Sequence, residues 1–518
     1  MNTADNLTRF YERLAEIYKL ECVASLLGWD EQVYMPTHGA EARAGQIEYI
    51  ARLIHQKKTD PAFATTVDEL WEHHDSLSSG DQVNVRETKR ILDIERKLPE
   101  EYVSELAQVS SLGFHAWVKA RTANDFKAVQ PYLEKIVELS RRRADLVGYE
   151  EHPYDALLDI YEPGLKTSVA KPLLLDLAEK LRGIIPAICE RFCRYGELNG
   201  HYAEAQQEQL CRRVAGDLGF SFDSGRLDKS PHPFTTSIGP KDTRITTRYN
   251  ESNFMPALYG TIHETGHALY DMGLPDEWAG TPLGEPVSLG IHESQSRLWE
   301  NRIGRSREYC VYLSLILSEV FPGETMDPET LWQHANRVSP SLIRVEADEV
   351  TYSQHIVIRM LLEEMLITNE LGVTDLPGAW DDLYERYLGV RPTDDRNGVM
   401  QDMHWYSGAI GYFPTYALGN LYGAMMMEKA REDLPDLDQQ IERGQFGGLH
   451  GWLHENVYQH GMRFHGPELI RRITGRDLSA QPFVDYLKAK YLKIIVDREH
   501  EARQTGIAPA TTNRRRFT

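Results

Sequence analysis

Apolar residues recur at three- and four-residue spacing through almost the whole chain, and this periodicity restricts the fold more than any other feature. It runs from Asn6 to about Gly225, as in "LTRFYERLAEIYKLECVASLL", "VNVRETKRILDIERKL" and "VAKPLLLDLAEKLRGIIPAICERF". Each segment wraps an apolar stripe around a helix. Asp81 and Ser168 stand where helix N-caps are expected. The same texture resumes near Ser252 and continues to about Glu499, broken by Gly and Pro at "MGLPDEWAGTPLGEP" and "LGVRPTDDRNG". One interruption differs in kind. In "PHPFTTSIGPKDTRITTRYN", residues 231–250, β-branched residues alternate on both sides of a Gly-Pro turn, which predicts a hairpin. The expected fold class is mainly α. At 518 residues the chain exceeds the ~250–300 at which a single core stops growing, so two lobes or one multi-lobed helical body are expected. The division predicted is a helical lobe over 1–230, the hairpin over 231–250, a second helical lobe over 251–499 and a mobile tail over 500–518.

Charge narrows the partners. Lys and Arg number 57 against 78 Asp and Glu, a net −21 that repels nucleic-acid backbones and anionic lipid surfaces. No nucleic acid and no membrane partner are expected. The N-terminus, "MNTADNLTRFYERLAEIY", lacks the apolar core of a signal peptide, and no run of 18 apolar residues occurs. Five scattered cysteines, Cys22, Cys189, Cys193, Cys211 and Cys310, do not form a disulfide framework. A reducing cytoplasm is the predicted compartment. Cys189 and Cys193 lie one helical turn apart, but two soft ligands without a second pair read as buried helix residues.

The stretch "GTIHETGHALYD", residues 260–271, carries the chemistry. On a helix, residues i and i+4 share a face, so His263 and His267 can aim imidazoles at one point, half of a tetrahedral zinc site. Glu264 lies beside the pair but is angled away, where a carboxylate serves as a base rather than a ligand. Asn253 as a cap, Pro256 in the first turn, the stripe Leu258, Ile262 and Leu269, and Gly273 with Pro275 at the end all support a helix here. Gly260 and Gly266 each cost about 1 kcal/mol in a helix interior and predict the close approach of another backbone or of substrate. Chance stands against the motif: with 19 His and 78 acids, the pattern arises at random in roughly one such sequence in ten. A third ligand is needed, and "SLGIHESQSRLWENRIGR" offers His292, Glu293 and Glu300. Glu293 and Glu300 are seven apart on one face, and spacing does not choose between them.

Six segments extend the pattern: "HPF" at 232–234, "DTRIT" at 242–246, "HETGH" at 263–267, "HESQ" at 292–295, "IRVEAD" at 343–348 and "GVMQDMHW" at 398–405. In order and spacing they resemble the carboxypeptidase Taq family of metallocarboxypeptidases, from "GWDEQVYMP" near Trp29 to Tyr491. The resemblance implies that Glu293 completes the ligand set with His263 and His267, and that Glu264 is the general base. Glu300 then reads as a salt-bridge partner or a support for the ligands. It further implies one peptidase domain over 1–499, two lobes flanking a long groove, a homodimer, and zinc as the metal with cobalt as an option. The activity implied is hydrolysis of the last peptide bond of substrates with a free C-terminus. "QDMHWYSGAIGYFPTYALG" is similar to a segment with which related helical metallopeptidases meet the oxyanion, making His404, Tyr412 and then Tyr416 candidates.

Guanidinium chemistry suits a terminal carboxylate, and Arg344 is the candidate, with Arg302 and Arg396 as alternatives and a salt bridge to Asp348 as its ordinary reading. "DTRITTRY" is a candidate substrate edge, with Asp242 and Arg244 either serving substrate or orienting the histidines or the hairpin. The rival readings are a helical oligoendopeptidase and a non-catalytic helical metal-binding protein.

Overall fold

The computed structural model describes residues 3–193, 196, 198, 200–323 and 326–492. Helices carry both halves of the chain where the periodicity places them, beginning with Thr3–Val33 and ending with Gln481–Leu487 and the π-helical turn Lys488–Leu492. The predicted tail, 500–518, lies outside the described residues. Among the described residues, no helix is long and apolar enough to cross a membrane.

Two of the predicted caps move. Ser78, not Asp81, caps the Ser79–Glu95 helix: its Oγ accepts from Asp81 N and donates to the Asp81 carboxylate, a reciprocal pair across the first turn. Ser168 lies inside the Thr167–Phe192 helix and donates to Glu151, while Asp155 accepts from Thr167 N. Asn253 does accept from Met255 N, at 3.0 Å, at the start of the Met255–Gly273 helix.

The hairpin belongs to a three-stranded sheet. Strands β1 (Gly225–Lys229), β2 (Thr235–Gly239) and β3 (Asp242–Thr247) are ordered β1-β3-β2, with β1 parallel and β2 antiparallel to β3. This corrects the substrate-edge expectation, because "DTRITTRY" forms the central strand and the edge next to the Met255–Gly273 helix is β2. β1 escapes the sequence reading because "GRLDK" carries a single apolar residue and no alternation.

Packing explains how the sheet is held. Cys211, Ala215, Phe220, Leu227, Ile245, Ala257 and Ala268 are buried together, packing one face of the sheet against the Glu204–Leu218 and Met255–Gly273 helices. Fully buried side chains the size of Leu or Ile each contribute roughly 1.5–3 kcal/mol. A second cluster joins Phe10 and Ile17 of the first helix to Phe63, Val67, Leu70, Val85 and Leu92. The largest cluster draws on residues from Ala120 to Leu218 and again from Phe254 to Tyr491, on both sides of the sheet.

Candidate metal centre and active site

The motif segment is helical from Met255 to Gly273 and places His263 and His267 one turn apart, their ring centroids at 5.0 Å. The Leu289–Arg297 helix, capped by Ser288 Oγ accepting from Ile291 N, crosses it closely. Gly266 permits the crossing: a Cβ there would lie 2.7 Å from Gln295 O and Ser296 Cα. Gly260 differs from its expected role, since a Cβ there meets nothing nearer than Pro233 at 3.8 Å.

The crossing delivers Glu293. Its Oε2 lies 3.7 Å from His263 Nε2 and 3.4 Å from His267 Nε2. The three side chains offer ligand atoms within 4.8 Å of one another. Ligands at ~2.0–2.1 Å from a tetrahedral zinc are about 3.3 Å apart, so this donor set fits such an ion. A third helix, Pro414–Asp433, pins Glu293 from the other side: a Cβ on Gly419 would meet its Cγ at 2.8 Å.

Each ring nitrogen facing away from this cluster is occupied. His263 Nδ1 donates to Glu300 Oε2 at 2.9 Å. Glu300 reaches it from the π-helical turn Leu298–Gly304 that continues the helix carrying Glu293. His292 Nε2 donates to Asp271 at 2.9 Å, so its Nδ1 is the acceptor for His267 Nδ1–H at 2.5 Å. His292, weighed as a ligand from the sequence, instead links His267 to Asp271. Both motif rings therefore present Nε2 to Glu293.

Arg297 closes the cluster electrostatically, donating to Glu293 Oε1 at 2.7 Å and to Glu300 Oε2 at 3.3 Å, and lying 4.2 Å over the Tyr352 ring. Burial works to raise the Glu293 carboxyl, but Arg297 with His263 and His267 holds it well below the ordinary range. Glu264 is buried and points to β2, where Thr235 Oγ1 donates to its Oε2 at 2.7 Å.

The 404–416 segment lies against the same cluster. His404 packs at centroid distances of 5.2 Å from Tyr412 and 6.3 Å from Tyr416, which are 5.2 Å from each other. Burial pushes the Tyr412 phenol up, a hydrogen bond with Tyr416 offsets part of that, and the Glu293 charge adds to it. His404 is pushed down to about 4 by burial, with Arg344 and Arg359 adding to the fall against Asp402, so its imidazole is neutral at pH 7.

Arg344 is buried, and its partner is Asp402 rather than Asp348. Its Nε and Nη2 donate to Asp402 Oδ1 at 3.0 and 2.8 Å, and its Nη1 to the Tyr352 hydroxyl at 3.1 Å. Asp348 instead accepts from the backbone of Ser339, Val350 and Thr351. Asp402 is also held by Arg359, so two guanidiniums share one carboxylate and the group keeps a net positive charge beside Tyr416, whose ring centroid lies 5.1 Å from Arg344. The alternatives are engaged elsewhere: Arg302 donates to Asn420 O, and Arg396 to the carbonyls of Arg121 and Thr122.

Asp242 and Arg244 bond each other through two 2.8 Å contacts, and Arg244 lies 4.1 Å over the Trp29 ring. Among the described residues no hydrogen bond joins either to the histidines, so the pair ties the hairpin to the first helix. Thr235, Asp271, Arg297, Asp402 and Arg359 are missing from the sequence reading. Arg297, four residues after Glu293, and Asp402, inside "QDMHW", are the two that spacing could have raised.

Residues 9–491 match the Carboxypeptidase Taq (M32) metallopeptidase family. The chain is 40% identical over 501 residues to Thermostable carboxypeptidase 1 of Thermus thermophilus, covering 93% of this chain and 98% of that protein. It is 37% identical over 489 residues to Carboxypeptidase 1 of Bacillus subtilis, covering 93% and 97%. The solved M32 carboxypeptidase from Deinococcus radiodurans R1 aligns with a TM-score of 0.91 at 37% identity, covering 94% of this chain and 99% of that one. The Pyrococcus furiosus carboxypeptidase structure aligns with a TM-score of 0.91 at 36% identity, covering 95% and 99%. With the family matched over nearly its whole length, this chain belongs to the carboxypeptidase Taq (M32) metallopeptidases.

Proposed function

We propose that this metallocarboxypeptidase removes C-terminal residues of broad type from peptides, using zinc, or cobalt in its place, held by His263, His267 and Glu293. The observation that carries the reading is the convergence of two Nε2 atoms and one carboxylate oxygen at 3.4 and 3.7 Å, with both outward Nδ1 atoms already engaged. When bound there, a divalent metal makes water acidic enough to attack near neutral pH and polarises a carbonyl.

The chain's own residues do the rest. Glu264 takes the proton of the attacking water at its carboxylate and returns it to the leaving amine, its orientation set by the Thr235 hydroxyl. Tyr412 is the first candidate to donate to the carbonyl oxygen as charge builds there, with Tyr416 the second. The neutral His404 ring beside them offers an N–H to the same charge. The terminal carboxylate is recognised by the net positive group of Arg344, Arg359 and Asp402. The β2 edge, whose Thr235 already touches Glu264, offers backbone hydrogen bonds to an extended peptide.

In this reading residues 231–250 form the substrate-side hairpin, with β2 as its edge, between a lobe over 1–230 and a lobe over 251–499. The buried cluster shared by both halves supports a single peptidase domain. Five free thiols suit a cytoplasmic location, and family membership supports a homodimer. The test pairs metal analysis of the purified protein with Glu264→Gln. Turnover should fall by about 10²–10⁴-fold with metal retained, and cleavage should disappear on C-terminally amidated peptides. Hydrolysis that persists in Glu264→Gln removes the base, and equal cleavage of amidated peptides removes the carboxypeptidase reading.

A further inference from the structure

We infer that Glu363 is a positioning residue for the reaction, tying down both ends of the loop that presents His404 and Tyr412 to the metal cluster. The inference rests on the donor reading of those two residues given above. Glu363 lies in the Tyr352–Ile367 helix and is fully buried. Trp405 Nε1 donates to its Oε1 at 2.6 Å, and Gly411 N donates to its Oε2 at 3.0 Å. The Tyr154 hydroxyl donates to Oε2 as well. Trp405 is the residue after His404 and Gly411 the residue before Tyr412. One carboxylate thus holds the loop at the two points next to its proposed functional side chains.

The loop between these anchors has little freedom to compensate. Gly411 has φ 93°, and a Cβ there would lie 2.8 Å from the carbonyl of Leu157, so the chain is pressed onto the short helix that follows Tyr154. On the other side, Gly113 leaves room for Tyr406 O, which a Cβ would meet at 2.6 Å. The two contacts and the carboxylate hold residues 405–411 at Trp405, Tyr406 and Gly411. Donors aimed at a developing charge act only when their positions are set in advance, and a shift of about 1 Å is enough to lose on the order of 10²-fold in rate. Gln in place of Glu363 keeps the shape but replaces one acceptor oxygen by an N–H₂ group. That group faces another donor at Trp405 or Gly411, and one anchor is lost.

The test is a double-mutant cycle on the full-length, metal-loaded protein. Glu363→Gln should lower kcat about 10-fold, leaving KM and bound metal within about 2-fold, and should lower kcat less than about 2-fold in a His404→Ala/Tyr412→Phe background. If Glu363→Gln fails to fold, Trp405→Phe removes one donor with the carboxylate intact and enters the same cycle. An equal loss in both backgrounds, or an unchanged kcat in the wild-type background, overturns the clamp. Full activity in His404→Ala/Tyr412→Phe itself overturns the donor reading on which the clamp depends, so the two failures are read separately.

Discussion

Both motif histidines are held from behind, one by a carboxylate and the other by a second histidine. Because Glu300 and His292 take the two Nδ1–H groups, the tautomers that present Nε2 are the ones the protein stabilises. Glu300→Gln leaves a poorer acceptor for His263. Metal affinity should fall about 10–100-fold, measured by competition with a chelating indicator, and unchanged affinity would remove Glu300 from that role. Arg344 makes a separate prediction. Arg344→Ala should raise KM for peptides with a free C-terminus by about 10-fold or more with kcat little changed, since it removes a contact to a part of the substrate that does not react. Steady-state kinetics on a matched peptide pair decides this; an unaltered KM assigns the arginine to holding Asp402 alone. The chemistry of His263, His267 and Glu264 is legible in five consecutive residues because the helical repeat alone puts the two rings on one side. Arg344 is legible only as a side-chain type, for its bond to Asp402 spans 58 positions.

At the scale of elements, two glycines of the Met255–Gly273 helix look alike in the sequence and differ in the fold. Gly266 faces the backbone of the Leu289–Arg297 helix, where an added Cβ has 2.7 Å. Gly260 has open space to 3.8 Å. Gly260→Ala should therefore raise stability by up to about 1 kcal/mol, the helix-propensity gain. Gly266→Ala should lower it by about 1–3 kcal/mol, because overpacking against backbone exceeds that gain. Thermal melts of the two variants give opposite signs, and equal signs would refute the assignment. The sheet makes the same point about order. Alternation in 231–250 reveals the antiparallel pair, but β1 joins β3 across a separation that no local pattern reports. The join turns "DTRITTRY" into an interior strand and leaves β1 and β2 as the two edges.

At the scale of the whole molecule, a buried acid outside the ligand set, Glu162, contributes to the response to pH. Glu162 is 1% exposed, accepts from Tyr422 and Gly290 N, and sits where a Cβ on Gly290 or Gly466 would strike it at 2.5 Å. Burial pushes its carboxyl up to about 7 despite those bonds. With the folded value above the ordinary 4.5, the folded state binds more protons than the unfolded between these pH values. Its contribution to stability is full below about 4.5 and declines by about 3 kcal/mol as the pH rises through 7. Glu162→Gln removes that slope: relative to wild type, its stability should improve steadily from pH 5 to pH 8 in urea titrations. A constant difference across that range would rule out the titration.

Periodicity, a property of neighbours along one chain segment, determines that this protein is mainly helical, that a hairpin interrupts it before residue 251, and that His263 and His267 share a face with a carboxylate beside them. The order of the short motifs adds the family and points to Glu293. Tertiary structure decides what lies opposite each face. Gly266 and Gly419 let two helices close on Glu293, a π-helical turn carries Glu300 behind His263, and Asp402 joins Arg344 to Arg359. These are contacts between elements, set by which surfaces pack with fewest voids and fewest unpaired polar groups. A repeat of three and four residues carries the face of a helix but not the identity of its neighbour.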